Sequence, residues 1–243
     1  IRLSLVGSEM CIRDRVSGIE DNDKSIFYTA LYHCYLFPRE FSEYGKYYSA
    51  FDDKVHEGIS YNDYSLWDTF RAFHPLMTLL EPELTGNWIT GLLQMYKEGG
   101  WMPMWPNPSY TNIMIGTHAD ALIADAYMKG IRNYDTDLAY EAMRKNAMVP
   151  PDCDTQRRYG DRDRWTSFEA RAGASFYHTI GYVPDDKTAE SVSRTLEYAY
   201  DDWCIAQVAK EMGKMDDYKS LMQWSQNYKN IYNTEKGFML PRK

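Results

Sequence analysis

What most limits how this chain can fold is the regular placing of its helix breakers. Pro38, Pro82, the Gly99-Gly100 pair, Gly130, the Pro150-Pro151 pair and Gly213 each close a stretch whose apolar residues recur at helical spacing. The pattern predicts helices over residues 25–37, 65–81, 83–98, 113–129, 135–147, a less regular 167–179, 187–212 and 215–232. Few segments alternate with the period of two that a half-buried strand requires. The sequence therefore reads as all-α.

Helices joined by loops pair into hairpins, and a series of hairpins builds a bundle, a solenoid or a closed α/α barrel. No hairpin repeats the sequence of another, which argues against a solenoid. Two connections, residues 41–62 and 99–112, are too long and too aromatic to be minimal linkers. They favour the barrel, and loops of this kind usually carry function.

At 243 residues the chain can bury a sizeable core. Its net charge is -8 and its Lys and Arg are scattered, so no basic stripe offers itself to a phosphate backbone and nucleic acid is not an expected partner. No window approaches the roughly 18 uninterrupted apolar residues of a membrane span. The 21 Tyr and 7 Trp, several beside carboxylates, suit sugars, which present apolar C–H faces and hydroxyl rims, although such residues also build ordinary cores. Cys11, Cys34, Cys153 and Cys204 have neither zinc spacing nor the pattern of a disulfide framework. Residues 1–15, IRLSLVGSEMCIRDR, resemble translated sequencing adapter and are expected to be an adapter-derived artefact outside the fold. The lack of a signal peptide then says nothing about export.

Three constellations carry polar groups into apolar surroundings. On a continuous helix over residues 65–81, Leu66, Phe70, Phe73 and Met77 form the apolar face. Trp67, Arg71 and His74 line an adjacent stripe, with Asp68 near enough to pair with Arg71 and Pro75 a break in waiting. This is either a surface salt bridge beside a half-buried Trp or a wall that grips a polyhydroxylated ligand. In LEYAYDDWCIAQ, residues 196–207, Leu196, Ala199, Trp203 and Ala206 are spaced for burial, which leaves Asp201 on a flank and Asp202 at the core edge. Such acids need a partner, an Arg or Tyr of a neighbouring helix or a ligand. A magnesium motif of the terpene-synthase type would need an acid at position 205, where Ile205 stands. In GTHADALIAD, residues 116–125, His118 and Asp120 open a helix directly after the Trp-rich loop. Serine-hydrolase, P-loop, dinucleotide and zinc-peptidase signatures are absent.

The stretches FYTALYHCYLFP, YSLWDTFRAFHPLMTLLEPE, GGWMPMWPNPSYTNIMIGTHADALIADAYMKGI and LEYAYDDWCIAQVAK, in this order and spacing, closely resemble the catalytic domain of glycoside hydrolase family 92 from about residue 16 onward. The family comprises exo-acting, calcium-dependent α-mannosidases that invert the anomeric configuration. Its members place an N-terminal β-sandwich before an α/α six-hairpin barrel, with the active site between them. The resemblance implies that residues 16–243 are an incomplete α/α six-hairpin barrel, truncated at both ends. It further implies mannose-containing oligosaccharides as ligands, a β-sandwich of the same parent protein as partner, calcium as cofactor, and a periplasmic or secreted setting in a bacterium.

By the same resemblance the general acid is expected in a Glu-Gly-like segment just beyond GFMLPR, residues 237–242. Calcium ligands are expected in a later Gly-Asn-Glu-Pro motif and the base in an Asp-rich motif. This chain would then hold neither catalytic carboxylate and little of the metal site, and the fragment alone would be inactive. What it would supply is pocket wall: Trp67, Asp68 and Arg71 around the terminal mannose, with His118, Asp201 and Asp202 as further binding candidates. The alternative is a non-catalytic carbohydrate-binding or scaffold α/α protein.

Overall fold

A computed structural model describes residues 20–156 and 170–243. The segment expected to be adapter-derived lies outside these, as does the start of the helix expected over residues 167–179. The helix α1 (Asp21–Cys34) leads into four short strands. Strand β1 (Arg39–Glu40) pairs antiparallel with β4 (Tyr61–Asn62), and between them β2 (Lys46–Ser49) and β3 (Lys54–Glu57) form a hairpin. Residues 39–62 thus hold two small antiparallel pairs where the sequence suggested an irregular loop. Four-residue strands are too short for their alternation to stand out, although Tyr47 and Ser49 are buried while Lys46 and Tyr48 face outward.

The helix expected over residues 65–81 is two helices, α2 (Leu66–Thr69) and α3 (Phe73–Leu80). The chain breaks at Ala72, the N-cap of α3, with φ -141° and ψ -42°. Pro75 explains the position of the break. Proline has no N–H and its ring collides with the carbonyl four residues earlier, so it is tolerated in the first turn of a helix and not in its interior. Starting α3 at Phe73 puts Pro75 in that first turn.

Helix α4 (Pro82–Gly99) obeys the same rule, with proline at its first position, and it ends on Gly100 in the left-handed conformation, whose N–H donates to the Tyr96 carbonyl at 2.8 Å. It buries Trp88, Ile89, Leu92 and Leu93, each worth about 1.5–3 kcal/mol on removal from water. Gly91 admits Tyr64: a β-carbon there would fall 2.8 Å from the Tyr64 hydroxyl, which donates to the Trp88 carbonyl at 2.9 Å.

Helix α5 (Ala119–Met128) starts later than expected, because Asn112, Met114 and Gly116 take positive φ and hold the chain out of helix until His118, the N-cap. Helix α6 (Thr136–Met148) is capped by Asp135, whose side chain accepts the Leu138 N–H at 3.0 Å. Helix α7 (Ala174–Ile180) lies between Gly173 and Gly181, both left-handed. Helices α8 (Ser191–Glu211) and α9 (Met215–Trp224) follow; a 3-10 turn (Asn227–Ile231) and the pair β5 (Tyr232–Asn233) and β6 (Phe238–Met239) replace the end of the helix expected to reach residue 232.

Helix α8 is the centre of the assembly and packs on α5, α6, α9 and the 3-10 turn. Ala119, Ala121, Ala124 and Ala126 on α5 are buried and small enough to let α8 come close. The expected burial of Trp203 does not hold: Trp203 and Tyr200 lie on the exposed stripe of α8, while Tyr198, Asp201, Asp202, Ile205 and Val208 are buried. Enclosure by several helices, not one flat interface, sets this pattern, and a single-face reading of the periodicity misses it.

Candidate functional site

The groups singled out in the sequence converge where the α2–α3 break, the start of α5 and the first half of α8 meet. His118, buried at 1 % exposure, places Nδ1 3.0 Å from Asp201 Oδ1 and Nε2 3.4 Å from Glu197 Oε2. The first contact is a hydrogen bond. The second has the distance of an ion pair without hydrogen-bond geometry, since Nε2 has no hydrogen-bond partner. The imidazole stacks on Phe70, with ring centroids 4.0 Å apart and planes 16° from parallel. Burial disfavours a charged imidazole, but Asp201 and Glu197 together outweigh it and hold the His118 pKa above its ordinary value.

Arg71 stands at the open edge of this cluster. Its guanidinium carbon lies 4.6 Å from the Trp67 ring centroid and 4.6 Å from that of Phe70, and its Nη2 lies 3.5 Å from Glu197 Oε1. The Asp68–Arg71 pair expected on a continuous helix does not form: α2 ends at Thr69, Asp68 is exposed, and the ion pair of Arg71 among the described residues is Glu197. Glu197 was missed in the sequence, although it sits one turn before Asp201 on α8 and so shares its face. Burial and the nearby Asp201 push the Glu197 carboxyl up, while His118, Arg71 and Trp67 pull it down, with a net rise.

Behind this wall is a buried network centred on Arg171, another residue the periodicity did not mark. Its guanidinium donates to Asp202 Oδ1, to Thr117 Oγ1 at 2.9 and 3.0 Å and to Asp120 Oδ2 at 3.4 Å. Asp202 also accepts from the Tyr177 hydroxyl at 2.9 Å, so the expectation of an Arg or Tyr partner is met by both. Asp201 accepts the Thr117 N–H at 2.7 Å. Burial drives Asp120 up to about 8 against the opposing pull of Arg171, and Asp202 to about 6. Asp201 stays well ionised, because His118, Arg171 and the Thr117 N–H outweigh its burial. With Asp120 protonated, the charges of Asp201 and Asp202 are balanced by Arg171 and His118.

His74 does not join the stripe with Trp67 and Arg71. The break turns it inward to 1 % exposure, where it lines a cavity of about 300 Å³ with His33, Asp63, Thr69 and Phe73. Neither ring nitrogen has a hydrogen-bond partner, and burial lowers its pKa to about 3. On the other side, Arg71 and Phe70 border a groove of about 380 Å³ whose far wall includes Tyr200 and Trp203.

The arrangement offers hydrogen-bond donors from Arg71, acceptors from Glu197 and Asp68, and aromatic surface from Trp67 and Phe70, the set that a polyhydroxylated ligand requires. It does not fit calcium. Oxygen-rich cation sites need several free carboxylates or carbonyls, whereas the buried acids are turned onto Arg171, His118, Thr117 and Tyr177. Among the described residues no group of three or more His, Cys, Asp or Glu side chains is disposed to hold a metal ion.

Residues 12–243 match the catalytic domain of glycosyl hydrolase family 92. The chain belongs to that family. A family 92 inverting mannosidase of Bacteroides thetaiotaomicron superposes with a TM-score of 0.79 at 41% sequence identity, covering 89% of this chain and 28% of that one. A family 92 α-mannosidase of the same bacterium superposes equally well at 35% identity, covering 91% of this chain and 28% of that one. Over 157 residues the chain is 37% identical to an uncharacterized secreted glycosidase of Arthroderma benhamiae, a match covering 59% of this chain and 18% of that protein. The chain spans less than a third of the length of each of these relatives. Its helical hairpins belong to the α/α-barrel catalytic domain of family 92.

Proposed function

We propose that this chain is part of an exo-acting, inverting α-mannosidase that removes terminal α-linked mannose from glycans, and that it supplies substrate-binding wall and not the reacting carboxylates. The observation that carries the reading is the Trp67–Arg71–Glu197 cluster in a chain 41% identical to an inverting mannosidase. Inversion needs a general acid and a general base about 6.5–9.5 Å apart with a water between them. In this reading both come from outside the described residues. The part left to this chain is to hold and orient the sugar: Asp68 as acceptor, Arg71 as donor, Trp67 as aromatic surface, with His118, Asp201 and Asp202 fixing the wall from behind.

Calcium, implied by the family resemblance, would in this reading take its ligands from outside the described residues. A β-sandwich of the parent protein would close the pocket from the opposite side. Export to the periplasm or medium agrees with the secreted description of the Arthroderma relative. No described helix is long and apolar enough to cross a membrane.

The test is to express the full-length protein that carries this chain and follow mannose release from α-1,2, α-1,3, α-1,4 and α-1,6 mannobiosides by NMR. Initial release of β-mannose, abolished by a chelator and restored by calcium, is the expected result. Release of α-mannose, or no turnover of any α-mannoside, would overturn the reading. Mannoside binding without turnover would instead favour a non-catalytic carbohydrate-binding protein.

A further inference from the structure

The contacts that hold Glu197 are unusual for a carboxylate so well enclosed. Its side chain is 19 % exposed, and besides the nearby Trp67 side chain its charged contacts are long: Oε1 to Arg71 Nη2 at 3.5 Å and Oε2 to His118 Nε2 at 3.4 Å. Charge-assisted bonds close to about 2.7–2.9 Å, and a carboxylate has about four lone-pair sites, so with two long ion-pair contacts Glu197 keeps accepting capacity for a ligand. His118 Nε2 is likewise buried without a hydrogen-bond partner. The short contacts lie behind it, where Asp201, held by the Thr117 N–H, fixes His118. Arg71, stacked on Trp67 and Phe70, is held in place by ring contacts and not by a tight ion pair.

A donor and an acceptor 3.5 Å apart, beside aromatic rings and half open to solvent, match two neighbouring hydroxyls of a sugar. One hydroxyl takes a hydrogen bond from the guanidinium and the other gives its hydrogen to the carboxylate. Because a site that hydrogen-bonds a hydroxyl is left with unpaired groups when the hydroxyl is missing or misplaced, such a pair discriminates strongly between stereoisomers.

We propose that Glu197 is a specificity-determining residue of the sugar site, accepting a hydrogen bond from one hydroxyl of a vicinal pair while Arg71 donates to the other. This rests on the α-mannoside reading above. Behind it, the His118–Asp201 pair acts as a positioning device that keeps Glu197 in place.

The test is a variant-by-ligand cycle in the full-length protein, measuring the Kd of methyl α-mannoside and its monodeoxy analogues by calorimetry for wild type and E197Q. Wild type should lose about 10–100-fold in affinity on removal of either hydroxyl of one neighbouring pair. E197Q should lose a similar factor for the parent sugar and then no more than about twofold when one of those hydroxyls is removed, because the partners are already separated. E197D, which keeps the charge but is one methylene shorter, should show the same coupling and serves if E197Q does not fold. Additive losses for every analogue would overturn the proposal, and so would failure of both variants to fold, since Glu197 would then be a structural residue. If wild type binds no α-mannoside, the α-mannoside reading itself falls; binding without coupling removes only the role of Glu197.

Discussion

His118 and Asp201 are joined at 3.0 Å inside the protein, the histidine at 1 % side-chain exposure and the aspartate at 0 %. The pair links the start of α5 to the middle of α8, and it fixes the stacked Phe70 on which Arg71 rests. Stability and the shape of the candidate site are therefore coupled at one hydrogen bond.

Removing that bond should have a pH signature. His118 has a raised pKa in the folded chain, so its contribution is complete below the unfolded value near 6.5 and is lost as pH rises through the folded value. Asp201 has a lowered pKa, so its contribution is lost as pH falls below about 4. Asp201→Asn should cost about 3 kcal/mol near pH 5.5 and clearly less near pH 8.5 in urea unfolding. An equal cost at both pH values would mean that His118 does not change its charge between them.

Arg171 is the buried counter-charge for Asp202 and also reaches Asp120 at 3.4 Å. Arg171→Met should destabilise the chain by about 3–5 kcal/mol, because it leaves charges uncompensated in the interior. Against a usual total of about 5–15 kcal/mol, expression should fall sharply. A midpoint within about 1 kcal/mol of wild type would contradict the network described here.

Asp120 holds a proton that the unfolded chain gives up. With the folded pKa near 8 and the unfolded value near 3.9, stability from this group declines as pH rises between them. Asp120→Asn imitates the protonated acid and keeps an oxygen for Arg171 or Asn146, so its stability relative to wild type should improve from pH 5 to pH 8. Differential scanning across that range checks it; parallel curves would reject a protonated Asp120.

His74 gives the opposite slope. Its pKa is lowered to about 3 by burial, so its neutral form contributes above about 6.5 and stability is lost as pH falls toward 3. His74→Leu removes two unpartnered nitrogens, should change stability by less than about 1.5 kcal/mol at pH 7, and should make the chain less sensitive to acid. A large loss at neutral pH would show that the imidazole nitrogens are satisfied after all.

Helix ends marked by proline and glycine were legible in the sequence, because those residues act through their own backbone: Pro82 opens α4 and Gly100 closes it. The convergence of Trp67, Arg71, His118 and Asp201 was legible only in part. Periodicity placed His74 beside Arg71 by assuming an unbroken helix, and Pro75 moved the break to Ala72. Arg171 reaches partners 31, 51 and 54 residues away, a relation no local pattern encodes. Glu197 shares a helix face with Asp201 four residues on, but a single Glu on a long helix has the same local pattern as an ordinary solvated charge.

The break at Ala72 also has an evolutionary and engineering consequence. Arg71 faces the groove and His74 the interior, only three residues apart, because the two helices meet at an angle set in residues 70–72. Inserting or deleting one residue there would change the angle at which α3 leaves α2, and with it the direction of the side chains that follow. The segment should accept substitutions of side chain far more readily than changes of length.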